Sequence, residues 1–156
     1  MPFCEPSHPR RSPVPAANPL FVEPNSGRGT PWMTVKAEAG ATSGACGLVE
    51  ASIPPGHSPD LHVHRNEDEA FYVLAGTVDF ACAGERFRAE AGAFAFLPRG
   101  VPHTFRGVSD PAARVLVLLM PGGLEELFLE PDPARAAAML AARGVEVVGP
   151  PLAELP

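Results

Sequence analysis

The chain has 156 residues, 46% of them hydrophobic, and a formal net charge of −6. That length supports one domain with a hydrophobic core and hardly two. The acidic balance excludes a general affinity for nucleic acid or anionic membranes, and no run of 18 apolar residues offers a transmembrane helix.

The opening MPFCEPSHPRR lacks the apolar stretch of a signal peptide, so a cytoplasmic protein is expected. Prolines crowd this end: residues 1 to about 31 hold eight of the twenty. Such a segment cannot form a sheet interior, so residues 1–25 read as a flexible tail. Leu20, Phe21 and Val22 offer a short docking element within it. Cys4, Cys46 and Cys82 are widely spaced without a CxxC pair. They suggest neither a disulfide framework nor a zinc knuckle; Cys46 and Cys82 read as small core residues and Cys4 as part of the tail.

A series of short strand-like runs follows. Trp32 to Lys36 is the first, and Ala45 to Ile53 the second, stopped by Pro54-Pro55-Gly56. Leu61 to His64 and Ala70 to Leu74 come next, with Ala75-Gly76 opening a turn. Val78 to Cys82 turns at Ala83-Gly84-Glu85 into Arg86-Phe87-Arg88. Ala93 to Leu97 ends at Pro98 and Gly100, and His103 to Arg106 and Arg114 to Leu119 complete the series. Strands of about five residues separated by Gly and Pro turns indicate a sandwich or barrel. No helical pattern precedes residue 121, which argues against a doubly wound fold. Beyond it the period changes. Leu124, Leu127 and Phe128 fit a short helix, Asp132 reads as an N-cap with Pro133 behind it, and Ala134 to Arg143 continues as helix to Gly144. Val145 to Val148 adds an edge strand. The expected organisation is a tail (1–25), an all-β barrel (26–120) and a helical cap (121–156).

The stretch LHVHRNEDEAFYVLAG, residues 61–76, carries the chemistry. Residues i and i+2 of a strand point to one side, so His62 and His64 project together and can reach one metal ion. After a polar turn, Glu69, Phe71 and Val73 share a face of the returning strand, and Glu69 can meet both imidazoles. Glu67 and Asp68 fall in the turn, where solvation is expected. A fourth ligand must come from elsewhere: His103, opening a strand in LPRGVPHTF with Phe105 on its face, fits better than the loop residue His57. His57 and His8 read as ordinary surface histidines.

These residues closely resemble the cupin superfamily. Its first motif is met at Gly56, His62, His64, Glu69 and Gly76 and its second at Gly92, Pro98, Gly100 and His103, fifteen residues separating the two. The second motif usually ends in Asn; here Gly107 stands there, expected to serve the same turn without the side-chain hydrogen bonds. The resemblance implies a double-stranded β-helix, or jelly-roll barrel, with short C-terminal helices. It also implies one divalent transition metal ion (Ni, Fe, Mn, Co, Cu or Zn) held by His62, His64, Glu69 and His103. HVHRNEDEAFYVLAG, FLPRGVPHTFR and LLMPGGLEELF look like the single-domain bacterial quercetin 2,3-dioxygenase-like group. That implies cleavage of a flavonol-like or other enolisable aromatic by O2, with Glu69 as both ligand and general base. Two other functions stay open: a metal-dependent isomerase, cyclase or decarboxylase, and a non-catalytic small-molecule-binding cupin.

By strand alternation Phe71, Val73, Phe94, Phe96 and Phe105 are candidates for an apolar pocket wall, and equally for plain core. Tyr72 alternates outward and could support an interface; Trp32 could cover the barrel or a partner. Arg99 could meet an acidic substrate group or simply be solvated. Leu124, Leu127 and Phe128 could close the mouth or pack the C-terminal helix. A homodimer is expected, because small jelly rolls present sheet edges and apolar outer faces.

Overall fold

The computed structural model describes residues 18–155. The readings of Cys4, His8 and the first seventeen residues of the tail fall outside that range. Eleven strands and a few helical turns are arranged as follows. β1 (Arg28–Thr30), β2 (Met33–Ala37), β3 (Gly47–Ile53), β4 (Asp60–His64), β5 (Asp68–Ala75) and β6 (Thr77–Cys82) come first. β7 (Glu85–Glu90), β8 (Phe94–Leu97), β9 (His103–Gly107) and β10 (Ala113–Met120) follow. A 3₁₀ segment (Leu124–Leu129), α1 (Pro133–Ala142) and β11 (Val145–Pro151) close the chain with a last 3₁₀ turn (Leu152–Glu154).

All pairings are antiparallel, in two sheets: one of six strands, ordered β1-β2-β3-β10-β5-β8, and one of five, ordered β11-β4-β9-β6-β7. The fold is all-β and jelly-roll-like. Alternation explains the layering. In β3 every second residue, Gly47, Val49, Ala51 and Ile53, is buried, and β10 buries Ala113, Val115, Val117 and Leu119 against it. With Phe71, Val73, Val78, Phe80 and Leu97 they form one core between the sheets.

Gly76 alone connects β5 in one sheet to β6 in the other. Its φ is +77°, which glycine adopts without strain, and a Cβ there would lie 2.3 Å from Ser109 Oγ and 2.8 Å from Ala113 Cα. Helix α1 starts as its sequence indicates: the Asp132 carboxylate accepts from the amides of Ala134 and Arg135 at 2.8 and 3.2 Å.

The structure departs from the sequence reading in a few places. β1 is a three-residue, fully exposed strand with no hydrophobic pattern to reveal it. Leu20 and Phe21 are exposed, so they do not dock. Trp32 sits exposed in the turn between β1 and β2. Gly107 is not a turn residue. It ends β9 buried against the 53–57 loop, where a Cβ would meet the Pro54 carbonyl at 2.2 Å. Its amide donates to His57 O and its carbonyl accepts from Gly56 N.

Candidate metal centre

His62 and His64 lie two apart on β4, and the pairing of β4 with β9 sets His62 directly opposite His103. Glu69 comes from the other sheet: it leads the inward row of β5 and faces the three imidazoles across the barrel. The ring centroids are 4.7–5.1 Å apart, and the four residues present donor atoms that all lie within 4.8 Å of one another. Glu69 Oε2 is 3.2 Å from His103 Nε2 and 4.0 Å from His64 Nε2.

Backbone carbonyls orient two of the rings. His62 Nδ1 lies 2.7 Å from Asp60 O and His103 Nδ1 lies 2.9 Å from Val101 O. A carbonyl only accepts, so each Nδ1 carries a proton and, in the neutral ring, Nε2 keeps its lone pair. This is the outer support that a metal-ligating histidine uses.

Burial disfavours the charged form of His62 and His64. It lowers His62 below its ordinary value and pushes His64 down to about 4, against the opposing pull of Glu69. Burial alone would raise Glu69, but His103 at close range and the other two imidazoles outweigh it and hold the carboxyl below its usual range. Neutral imidazoles and an ionised carboxylate are the forms that bind a cation.

The donors fit a metal on a second count. Glu69 Oε2 and His103 Nε2 are buried yet have no hydrogen-bond partner, close as they are. Orphaned buried polar atoms cost about 1–3 kcal/mol each. Three imidazoles and a carboxylate with donor atoms within 4.8 Å of one another are a donor set that suits a divalent transition metal. The cluster could hold a metal ion.

Beside it opens a cavity of about 340 Å³ between the sheets. Val49, Ala51, Ile53, Phe71, Val117 and Leu119 form its walls, with Phe105 from β9. Leu124, Leu127 and Phe128 of the 3₁₀ segment cover it together with Leu140 and Val145. The segment is anchored by Glu125, fully buried, whose carboxylate accepts from Ala39 N and Gly123 N at 2.5 Å. Neither this anchor nor the walls from β3 and β10 entered the sequence reading, although alternation along those strands marks the wall residues.

Of the five apolar candidates, Phe71 and Phe105 line the cavity. Val73 is buried one step further along β5, in packed core. Phe94 and Phe96 do not reach the interior. The register sets Leu97 opposite the inward Glu69, so Leu97 and Ala95 point in and both phenylalanines point to solvent. The expectation for Glu67 is also overturned. It is buried, with Oε2 unpartnered, and burial raises its carboxyl above the usual range, because the chain around it packs under the C-terminal cap. Asp68 and Arg99 pair with each other through two contacts of 2.7 and 3.1 Å, which holds Asp68 down to about 2 and leaves Arg99 outside the cavity lining. His57 lies at the mouth beside Phe105, outside the four-residue cluster.

Residues 49–119 match the cupin domain family. Those residues carry a cupin domain. This cupin is 35% identical over 102 residues to the polyketide synthase CurC of Streptomyces cyaneus, covering 64% of this chain and 65% of that one. It is 30% identical over 95 residues to quercetin 2,3-dioxygenase of Bacillus subtilis, covering 61% of this chain but 28% of the dioxygenase. The chain thus spans less than two thirds of either relative. Among solved structures, a predicted oxalate decarboxylase from Thermotoga maritima superposes with a TM-score of 0.54 over 57% of this chain and 78% of that one. At 24% identity this likeness speaks for the fold alone. Among the described residues, no helix is long and apolar enough to cross a membrane.

Proposed function

We propose that this cupin is a metal-dependent dioxygenase that cleaves a flavonol-like or other flat, enolisable aromatic with O2. One observation carries the reading: the cavity beside the four donors is walled mainly by aliphatic and aromatic side chains, and no lysine or arginine among the described residues lines it. A sugar phosphate or dicarboxylate would find no partner for its second charge. A neutral enol or phenol needs only one anionic oxygen accommodated. A divalent ion against the Glu69 charge leaves the four-donor set at +1, which suits that oxygen. At about 340 Å³ the space is near the small end of the roughly 300–1,000 Å³ range of small-molecule sites, so the ligand is compact.

His62, His64, Glu69 and His103 would hold the ion, whose identity among Ni, Fe, Mn, Co, Cu and Zn is open. Bound there, it supplies Lewis acidity to the enol oxygen and the open positions that O2 chemistry needs. The chain's own residues do the rest. Glu69 is the base that takes the hydroxyl proton. Phe71 and Phe105 flank the ring plane, and Leu124, Leu127 and Phe128 exclude water.

CurC favours a second reading, in which the same site assists cyclisation, isomerisation or decarboxylation of an apolar, polyketide-like compound without O2. Elemental analysis and oxygen uptake separate the possibilities. The dioxygenase reading expects near one transition metal per chain, lost in His62→Ala, and O2 consumption with 3-hydroxyflavone or quercetin. Metal with substrate conversion but no O2 uptake supports the second reading. Ligand binding with no metal after reconstitution sinks both and leaves a binding protein. The site and cavity are compatible with a cytoplasmic protein that binds no nucleic acid, the setting we propose.

A further inference from the structure

Apart from the metal-site residues, the polar residues that line the cavity among those described are Ser52, His57 and Asp60. Ser52 alternates away from it on β3, whose inward row is Gly47, Val49, Ala51 and Ile53. His57 and Asp60 are both exposed, at the mouth. Asp60 lies two residues before His62 on β4 and shares its side of the strand.

The backbone fixes where His57 stands. His103, Phe105 and Gly107 form the inward row of β9, because residues two apart share a face. Gly107 has no side chain, and the 53–57 loop occupies the space one would need: Ile53 O and Pro54 O would lie 2.8 and 2.2 Å from a Cβ. Two hydrogen bonds fasten that loop to β9. Gly56 N donates to Gly107 O at 2.8 Å, and Gly107 N donates to His57 O at 3.0 Å. A third, from His57 N to Pro54 O at 3.1 Å, closes the turn. The imidazole therefore sits beside Phe105, with ring centroids 6.5 Å apart. Along this wall a ligand meets a metal-site imidazole, then an aromatic ring, then a second imidazole. Among the described residues nothing hydrogen-bonds the ring nitrogens of His57. In the neutral ring one of them donates and the other accepts.

We infer that His57, with Asp60 at the same mouth, is a specificity-determining subsite for a hydroxyl on the end of the substrate remote from the four donors. Apolar pockets take orientation and specificity from a few placed polar groups. A flat ligand whose enol oxygen points to the donors lies along Phe71 and Phe105, and its far end emerges at the mouth. A carboxylate or phosphate there faces the Asp60 charge. A hydroxyl accepts from the imidazole, or donates to the imidazole or to the Asp60 carboxylate. The inference rests on the flat-aromatic reading of the cavity and narrows the substrate class to polyhydroxylated aromatics.

Direct binding tests it, with no turnover required. The full chain, reconstituted with Ni²⁺ and freed of excess ion, is titrated without O2 with quercetin and with 3-hydroxyflavone. Quercetin carries hydroxyls on both outer ring systems, whereas 3-hydroxyflavone has only the enol. Wild type is expected to bind quercetin more tightly. His57→Phe, which keeps an aromatic ring but no hydrogen-bonding atom, and independently His57→Ala, are expected to lower the quercetin-to-3-hydroxyflavone affinity ratio by about 3–10-fold, the loss of one hydrogen bond. The loop is held through backbone groups and His57 is exposed, so circular dichroism of both variants should match wild type. Binding of both flavonols with no preference for quercetin, or with a ratio that neither variant changes, would overturn this inference and leave the flat-aromatic reading standing. Binding of neither flavonol would overturn that reading and this inference with it.

Discussion

The two ends of the space between the sheets are built from the same kinds of residue and behave differently. At one end Val73, Val78, Phe80 and Leu97 pack to essentially no exposure, Phe80 with its ring 5.1 Å from Phe71 and 5.3 Å from Phe87. At the other, Val49, Ile53, Val117 and Leu119, equally buried from solvent, face a cavity. Composition does not distinguish them. What differs is the opposite wall: Val78 and Phe80 of β6 with Ala89 of β7 at the packed end, and at the other the polar His62, His64 and His103 with a 3₁₀ segment in place of a strand. Space that a core would fill is held open, at a cost of several kcal/mol if it were dry and sealed. An expense of that kind, next to orphaned donors, marks the functional end.

The contrast can be broken from the packed end first. Phe80→Ala should destabilise the protein by about 3–5 kcal/mol, the range for emptying a packed aromatic site. Leu127→Ala, over the cavity, should cost under about 1.5 kcal/mol because its neighbours already border open space, yet weaken binding of 3-hydroxyflavone. Urea unfolding of the two variants checks the pair; equal losses would mean that the cavity end is packed core after all.

Gly107→Asn sharpens the comparison at the cavity mouth. It restores the residue that the family motif usually carries, yet it should destabilise by about 1–3 kcal/mol, as overpacking does. Its Cβ would press on the Pro54 carbonyl 2.2 Å away. Thermal unfolding that rises in this variant would show that the 53–57 loop yields freely.

Mild acid should act first on the ligand end, and most gently. In chelator-treated protein His64 has its folded value depressed to about 4 and His62 is lowered as well. The unfolded chain binds those protons near 6.5, before the folded one does. Their contribution is full above about pH 6.5 and declines as pH falls towards 4. The midpoint temperature of metal-free protein should drop over that window, and His64→Gln should flatten the profile. An unchanged slope in that variant would locate the acid sensitivity elsewhere.

Much of this was legible along the chain. Strand alternation and Gly and Pro turns outlined β2 to β10, and Asp132-Pro133 marked the start of α1. His62, His64 and Glu69 follow from local parity, since residues two apart on a strand share a face. His103 required a second motif, because β4 and β9 meet only through the fold. Phe94 and Phe96 were misassigned because bulk and alternation leave two parities open, and only pairing with Glu69 chose Leu97 for the inside. Glu67 gave no signal at all: its burial comes from the C-terminal cap, some sixty or more residues further on.

By itself, then, the amino-acid sequence determined an all-β chain and four ligands of metal-binding type, because strand period and side-chain chemistry are local properties. The tertiary structure alone decided that three imidazoles on one sheet face a carboxylate on the other. It also decided that a 3₁₀ segment pinned by Glu125 roofs an apolar cavity, and that Tyr72, Phe94 and Phe96 line up outside. Each of those depends on register between distant strands, and shifting one strand by a single residue would exchange inside for outside.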